Sequence, residues 1–142
     1  MTEQEDQRKL QGLMMQIRSY QSTLQEIARQ NAMTERALAE LETTINALED
    51  LPKSKESEAL IPLGAGVFVK AELTDKKNVV VAVGSAINVT KTAKDTVTYL
   101  QERKERIEAD DKKLRSEAER FSKELEAANK AAEELYAKVQ KK

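Results

Sequence analysis

Between Ala59 and Thr90 the chain carries only five charged residues in 32 positions, Lys70, Glu72, Asp75, Lys76 and Lys77, whereas both flanks are dense in Glu, Lys, Arg and Gln. The apolar residues of this stretch include Leu60, Ile61, Leu63, Val67, Phe68, Val69, Val79, Val80, Val81, Val83, Ile87 and Val89. Most are β-branched, stiff at the first side-chain torsion and better suited to a pleated surface than to a helix. Three of the four glycines, Gly64, Gly66 and Gly84, also fall here. A shift of 20 residues lays Leu63-Gly64-Ala65-Gly66-Val67-Phe68-Val69 over Val83-Gly84-Ser85-Ala86-Ile87-Asn88-Val89. The pattern predicts two copies of one β-hairpin, each turned by a glycine-led run of small residues. Asp75-Lys76-Lys77-Asn78, polar and turn-prone, separates the copies. Val79 to Val83 is apolar on both faces, which four short strands cannot cover by themselves. The missing cover is expected from another chain.

The flanks carry a different period. Leu10, Leu13, Ile17, Tyr20, Leu24, Ile27, Asn31, Thr34, Leu38, Leu41, Ile45 and Leu48 alternate spacings of three and four, the 3.5-residue repeat of a coiled-coil seam. The first helix is expected to end at Leu51-Pro52, because proline lacks an amide hydrogen and pushes the preceding residue out of helical geometry. Val97, Leu100, Lys104, Ile107, Asp111, Leu114, Ala118, Phe121, Leu125, Ala128, Ala132, Leu135 and Val139 repeat the alternation in the last third, behind a Thr92/Asp95 pair that resembles a capping box. The predicted organisation is an N-terminal helix over 1–51, a solvated linker over 52–58, two hairpins over 59–90 and a C-terminal helix over 91–142. Arms of about 45 residues, roughly 65 to 70 Å each, imply an antiparallel helical hairpin. The fold class is α+β, mostly α.

If the helices fold back on one another, facing positions sum to about 142, so Asn31 meets Asp111 and Leu38 meets Lys104. That is either a buried polar layer that fixes register, or a pair of charged residues reaching past the seam into solvent. The same arithmetic sets the chain ends side by side, with Leu10, Leu13, Met14, Met15 and Ile17 beside Ala132, Leu135, Tyr136 and Val139. Small residues pack this end thinly, and Gly12 costs its helix about 1 kcal/mol relative to alanine. Methionine is flexible and polarisable, suited to surfaces that must fit varied apolar partners. The alternative is that Met14, Met15 and Tyr136 only fringe the core.

Chemistry is nearly excluded by composition. Histidine and cysteine are both absent, which removes the usual general base, the thiolate nucleophile and the commonest metal ligands. Asp110-Asp111 reads as a charged helix face, and Gly64-Ala65-Gly66 lacks the Lys-Ser/Thr ending of a phosphate loop. No catalysis and no cofactor is expected. With 24 basic and 25 acidic residues interspersed, nothing in the composition favours nucleic acid or an anionic membrane surface. No apolar run approaches the ~18 residues of a membrane span, and a cytoplasmic location is expected.

Heptad helices flanking paired hairpins, with Leu60-Ile61-Pro62-Leu63-Gly64-Ala65-Gly66-Val67-Phe68-Val69-Lys70-Ala71-Glu72 followed by Val79-Val80-Val81-Ala82-Val83-Gly84, closely resemble the alpha class of prefoldin subunits, above all the archaeal form. The resemblance covers essentially the whole chain and is most specific in Pro-Leu-Gly-Ala-Gly and its Val-Gly-Ser echo. It implies that the hairpins join an intersubunit β-barrel in a hexamer of two alpha and four beta subunits. It also implies a chaperone that captures unfolded polypeptides without ATP and passes them to a group II chaperonin. Two other classes stay open: a coiled-coil tether or filament-forming relative without client transfer, and a nucleic-acid-binding helical hairpin. Against the last, Arg103, Lys104 and Arg106 are interleaved with or followed by Glu105, Glu108, Asp110 and Asp111, which cancels the local field.

Overall fold

The computed structural model describes residues 2–141; Met1 and Lys142, which the sequence places in the two terminal helices, lie outside the described residues. The elements run α1 (Glu3–Asp50), a 3-10 turn (Leu51–Lys53), β1 (Glu58–Gly64), β2 (Val67–Glu72), β3 (Asn78–Gly84), β4 (Ile87–Thr92) and α2 (Ala93–Gln140). Residues 2–36 with 108–141 form one compact unit and residues 37–107 another.

In the second unit, Leu41, Ile45 and Leu100 make the buried core, with Leu48, Val97, Tyr99 and Ile107 packed against it. All but Tyr99 are seam positions, so the 3.5-residue period selects the buried face. Pro52 sits in the 3-10 turn, where its missing donor is not needed, and the helix tightens there instead of stopping abruptly. At the start of α2 the Thr92 hydroxyl accepts the Asp95 amide at 3.0 Å, the forward half of the expected cap.

The four strands form two separate two-stranded antiparallel sheets, β1-β2 and β3-β4. Their registers are identical under the 20-residue shift. Glu58 faces Glu72 as Asn78 faces Thr92, and the ladder slips between Pro62 and Gly64 as it does between Ala82 and Gly84. Even the closing backbone bonds repeat: Leu73 N–H donates to the Ser57 carbonyl at 2.6 Å, and Ala93 N–H to the Lys77 carbonyl at 2.7 Å. The strands therefore reach Glu58 and Thr92, slightly beyond the expected 59–90, because these flanking bonds extend each ladder.

Each turn is a two-residue loop with positive φ at both central positions, the twist that suits a hairpin. The first uses Ala65 (φ 50°) and Gly66 (φ 78°), the second Ser85 (φ 50°) and Ala86 (φ 61°). Ala86 thus occupies with a side chain the left-handed conformation that glycine occupies in the first copy, a geometry that costs L-residues roughly 1–2 kcal/mol. Ala86→Gly should therefore raise stability by about 0.5–1 kcal/mol after the entropy that glycine adds to the unfolded chain. Gly66→Ala should lower it by a similar amount, because a Cβ there meets no atom within 4 Å and only backbone strain changes. Thermal unfolding of the two variants checks both signs.

Residues 52–58 are all exposed, and two of their carbonyls are also held from within the chain: the Lys76 Nζ donates to the Ser54 carbonyl at 2.8 Å and to the Glu56 carbonyl. One ammonium with three donors can satisfy several backbone acceptors at once, which ties the linker to the turn between the hairpins. That turn is itself built on Asp75. Its carboxylate accepts the Asn78 side-chain amide at 2.9 Å, the Asn78 backbone N–H at 3.1 Å and the Lys77 N–H at 2.9 Å. The Asn78 side chain first, then the two backbone amides, hold the Asp75 carboxyl below the usual carboxylate range. A lowered folded pKa favours the folded turn above the ordinary aspartate value of about 4, and that contribution is lost as pH falls through the folded value. Amide exchange at Lys77 and Asn78 should accelerate as pH falls below about 4, relative to intrinsic rates. Asp75→Ala should make that relative protection flat with pH over the same range.

Candidate functional site

Two groups of apolar side chains remain uncovered, one in each unit. On the hairpins Leu60, Ile61, Leu63, Val67, Phe68, Val69, Val80, Val83, Ile87 and Val89 are all exposed, with Leu63 at 67% and Val80 at 69%. The β3 run is not symmetric. Val79 and Val81, on one side of the pleat, are half-buried within the chain, while Val80, on the other, stands open. A run of large apolar residues this open is unusual for a surface that stays in water.

The other group lies where the N-terminal end of α1 meets the C-terminal end of α2. Leu10, Leu13, Ile17, Ala132, Leu135 and Val139 are half-buried, whereas Ile27 and Ala128 farther along the same seam are buried. Met14 (48%), Met15 (73%) and Tyr136 (54%) are exposed. Lys9, Gly12, Leu13, Gln16, Ala131, Glu134, Leu135 and Lys138 line a groove of about 570 Å³ between the helices. Gly12 and Ala131 supply no bulk, so the helices leave an apolar trough floored by Leu13 and Leu135. The Tyr136 hydroxyl accepts from Gln140 Nε2 at 2.8 Å, which keeps the ring on the outer face.

The middle of the same unit contains the polar layer. Asp111 is buried, so it does not reach past the seam, and Asn31 is half-buried in the facing helix. Arg115 donates to Asp111 Oδ2 at 2.9 Å and to Glu35 Oε1 at 3.2 Å, linking α2 to α1. Tyr20 and Phe121 meet with ring centroids 6.0 Å apart. Two features escape a reading that starts at Leu10. Asp6 is buried, although the same alternation carried back four residues marks it as a seam position. Arg115 lies off the seam, and no local pattern announces its bond to a residue 80 positions away.

Among the described residues no group of His, Cys, Asp or Glu side chains could hold a metal ion. No described helix is long and apolar enough to cross a membrane.

A family model described as "Prefoldin subunit" matches residues 20–138. Among solved structures, a chain of the filamentous PFD from Methanocaldococcus jannaschii has the same fold, with a TM-score of 0.54 at 20% identity, covering 89% of this chain and 93% of that one. Among curated proteins, the prefoldin subunit alpha of Pyrococcus horikoshii is 30% identical over 132 residues, 91% of this chain and 89% of its own. That of Methanospirillum hungatei is 29% identical over 135 residues, 95% and 91% of the two chains. The prefoldin subunit alpha 1 of Thermococcus kodakarensis is 34% identical over 100 residues, 70% and 68%. The chain belongs to the prefoldin subunit family, in its alpha class. Prefoldin is a chaperone family whose alpha subunits work in oligomeric complexes with other prefoldin subunits.

Proposed function

We propose that the chain is the alpha subunit of an ATP-independent cytoplasmic chaperone, in which two alpha and four beta subunits pool their hairpins into a β-barrel platform. The arms capture unfolded polypeptides at the paired helix ends and release them to a group II chaperonin. The observation that carries this reading is the pair of uncovered apolar surfaces: a rigid, strand-built one suited to permanent burial, and a methionine-bearing one suited to transient contact.

The residues proposed for client contact are Leu10, Leu13, Met14, Met15, Ile17, Ala132, Leu135, Tyr136 and Val139, around the groove. A single groove offers too little area for tight binding. Several on one platform raise the effective concentration for each later contact, and avidity gains roughly 10²–10⁴-fold. Weak individual contacts also let a client leave one site at a time, so transfer needs no nucleotide hydrolysis. The test is suppression of aggregation of a chemically unfolded protein by this chain reconstituted with a beta-class subunit, without nucleotide. Suppression at near-stoichiometric ratios is expected; none at a tenfold excess would contradict the reading.

A further inference from the structure

Beyond its first turn, which holds Glu3, Glu5 and Asp6, the α1 helix of the first unit is biased toward basic residues. From Arg8 to Arg36 there are five basic residues and two acidic ones, whereas from Ala37 to Asp50 there are four acidic and none basic. Over Glu108–Gln140, α2 carries nine acidic and seven basic residues, closely interleaved and joined in places, as by Lys123 to Glu119 at 3.5 Å. Over that span α2 presents an ordinary solvated surface of both signs, whereas α1 from Arg8 to Arg36 leans basic.

With the seam at Leu10, Leu13, Ile17 and their successors, the positions farthest from α2 include Arg8, Met15, Arg18, Arg29, Met33 and Arg36, a stripe of about 42 Å along the helix. All six are exposed, Met33 at 57%. The one acid in the stripe, Glu26, is engaged by Arg29, whose Nε donates to it at 3.0 Å and holds its carboxyl below the usual range. Arg29 Nη1 also donates to the Met33 sulfur at 3.3 Å, so guanidinium and thioether share one patch. No ion pair among the described residues takes Arg8, Arg18 or Arg36.

We propose that this arginine–methionine stripe is a docking surface for an acidic protein segment that carries apolar side chains. Arginine matches carboxylates with its planar fork, and exposed methionine adapts to apolar groups without a fixed shape. A phosphate polyanion would use the arginines and leave Met15 and Met33 unexplained. The stripe is separate from the groove at the helix ends except for Met15, so tests exclude that residue.

The probe is a fluorescein-labelled 24-residue peptide alternating Glu/Asp with Leu/Met, read by anisotropy against the full chain. A Gln version of the peptide and a single-stranded oligonucleotide of equal charge run beside it. The acidic peptide is expected to bind at least tenfold tighter than the Gln version and to weaken as salt rises. Arg18→Glu with Arg36→Glu should weaken it tenfold or more, and Met33→Ser several-fold, with helical content unchanged. Equal binding by the charge-reversed chain would overturn the proposal. So would an oligonucleotide that binds as tightly as the peptide and ignores Met33→Ser. The variant Met14→Ser/Leu135→Ser, which targets the groove, should keep peptide binding, so failure of the stripe and failure of client capture are read separately.

Discussion

A chain carrying Val80→Asp is expected to fold as the parent does and to lose assembly with partner subunits by about a hundredfold or more. Val80 is 69% exposed in the single chain, so a carboxylate there stays in water and costs the hairpin little. Once a partner covers that face, the same group becomes an unpaired buried charge, a defect of about 3–5 kcal/mol. Val81→Asp makes the comparison informative. Val81 is half-buried on the opposite side of the pleat, so its aspartate should disturb the hairpin itself as well as the assembly. Far-UV circular dichroism of the isolated chains separates the two cases, and light scattering of mixtures with a beta-class subunit measures the loss. Parent-like assembly by the Val80 variant would mean that this face stays in water.

The second large effect concerns the helix ends. Met14, Met15 and Leu135 changed together to serine should leave assembly intact and raise about tenfold the concentration needed to suppress client aggregation. Each replacement removes apolar surface that a client would cover, about 1 kcal/mol per side chain when half-covered, and the losses multiply over the arms of one platform. Leu135 floors the groove and contributes to the seam, so local stability also falls somewhat. The Met14→Ser/Met15→Ser chain, both changes on exposed positions, removes that ambiguity. Unchanged suppression by both variants would assign client contact to the other subunits.

Much of this was legible in the residue order because two periods do the organising. An alternation of three and four names one face of each helix, and Leu41, Ile45 and Leu100 are buried because they lie on it. The hairpins were legible because Gly64, Gly66 and Gly84 mark turns, and the 20-residue echo gives both copies one register. Burial of Asp111 resolves the polar layer in favour of a seam position, with Arg115 and Glu35 completing a network around it. Such a layer costs stability and can hold the helices in one register.

What the sequence withheld depends on distance or on partners. The reach of Lys76 to Ser54 spans 22 residues, and a lysine in a polar turn gives no hint of a target. Asp6 was missed because a carboxylate does not announce itself as a seam residue, even where the spacing admits it. Which side of β3 is open could not be read from five consecutive apolar residues, since an unbroken run has no polar face to set against the buried one.

The most direct measurement is the mass in solution of this chain alone and of the same chain mixed with a beta-class prefoldin subunit, by light scattering behind a sizing column. On the proposal that other chains cover the hairpins, the mixture should yield a discrete hexamer of two alpha and four beta subunits, and the chain alone should self-associate or expose its hairpins to protease. A stable, protease-resistant monomer that ignores the beta-class subunit would contradict the account.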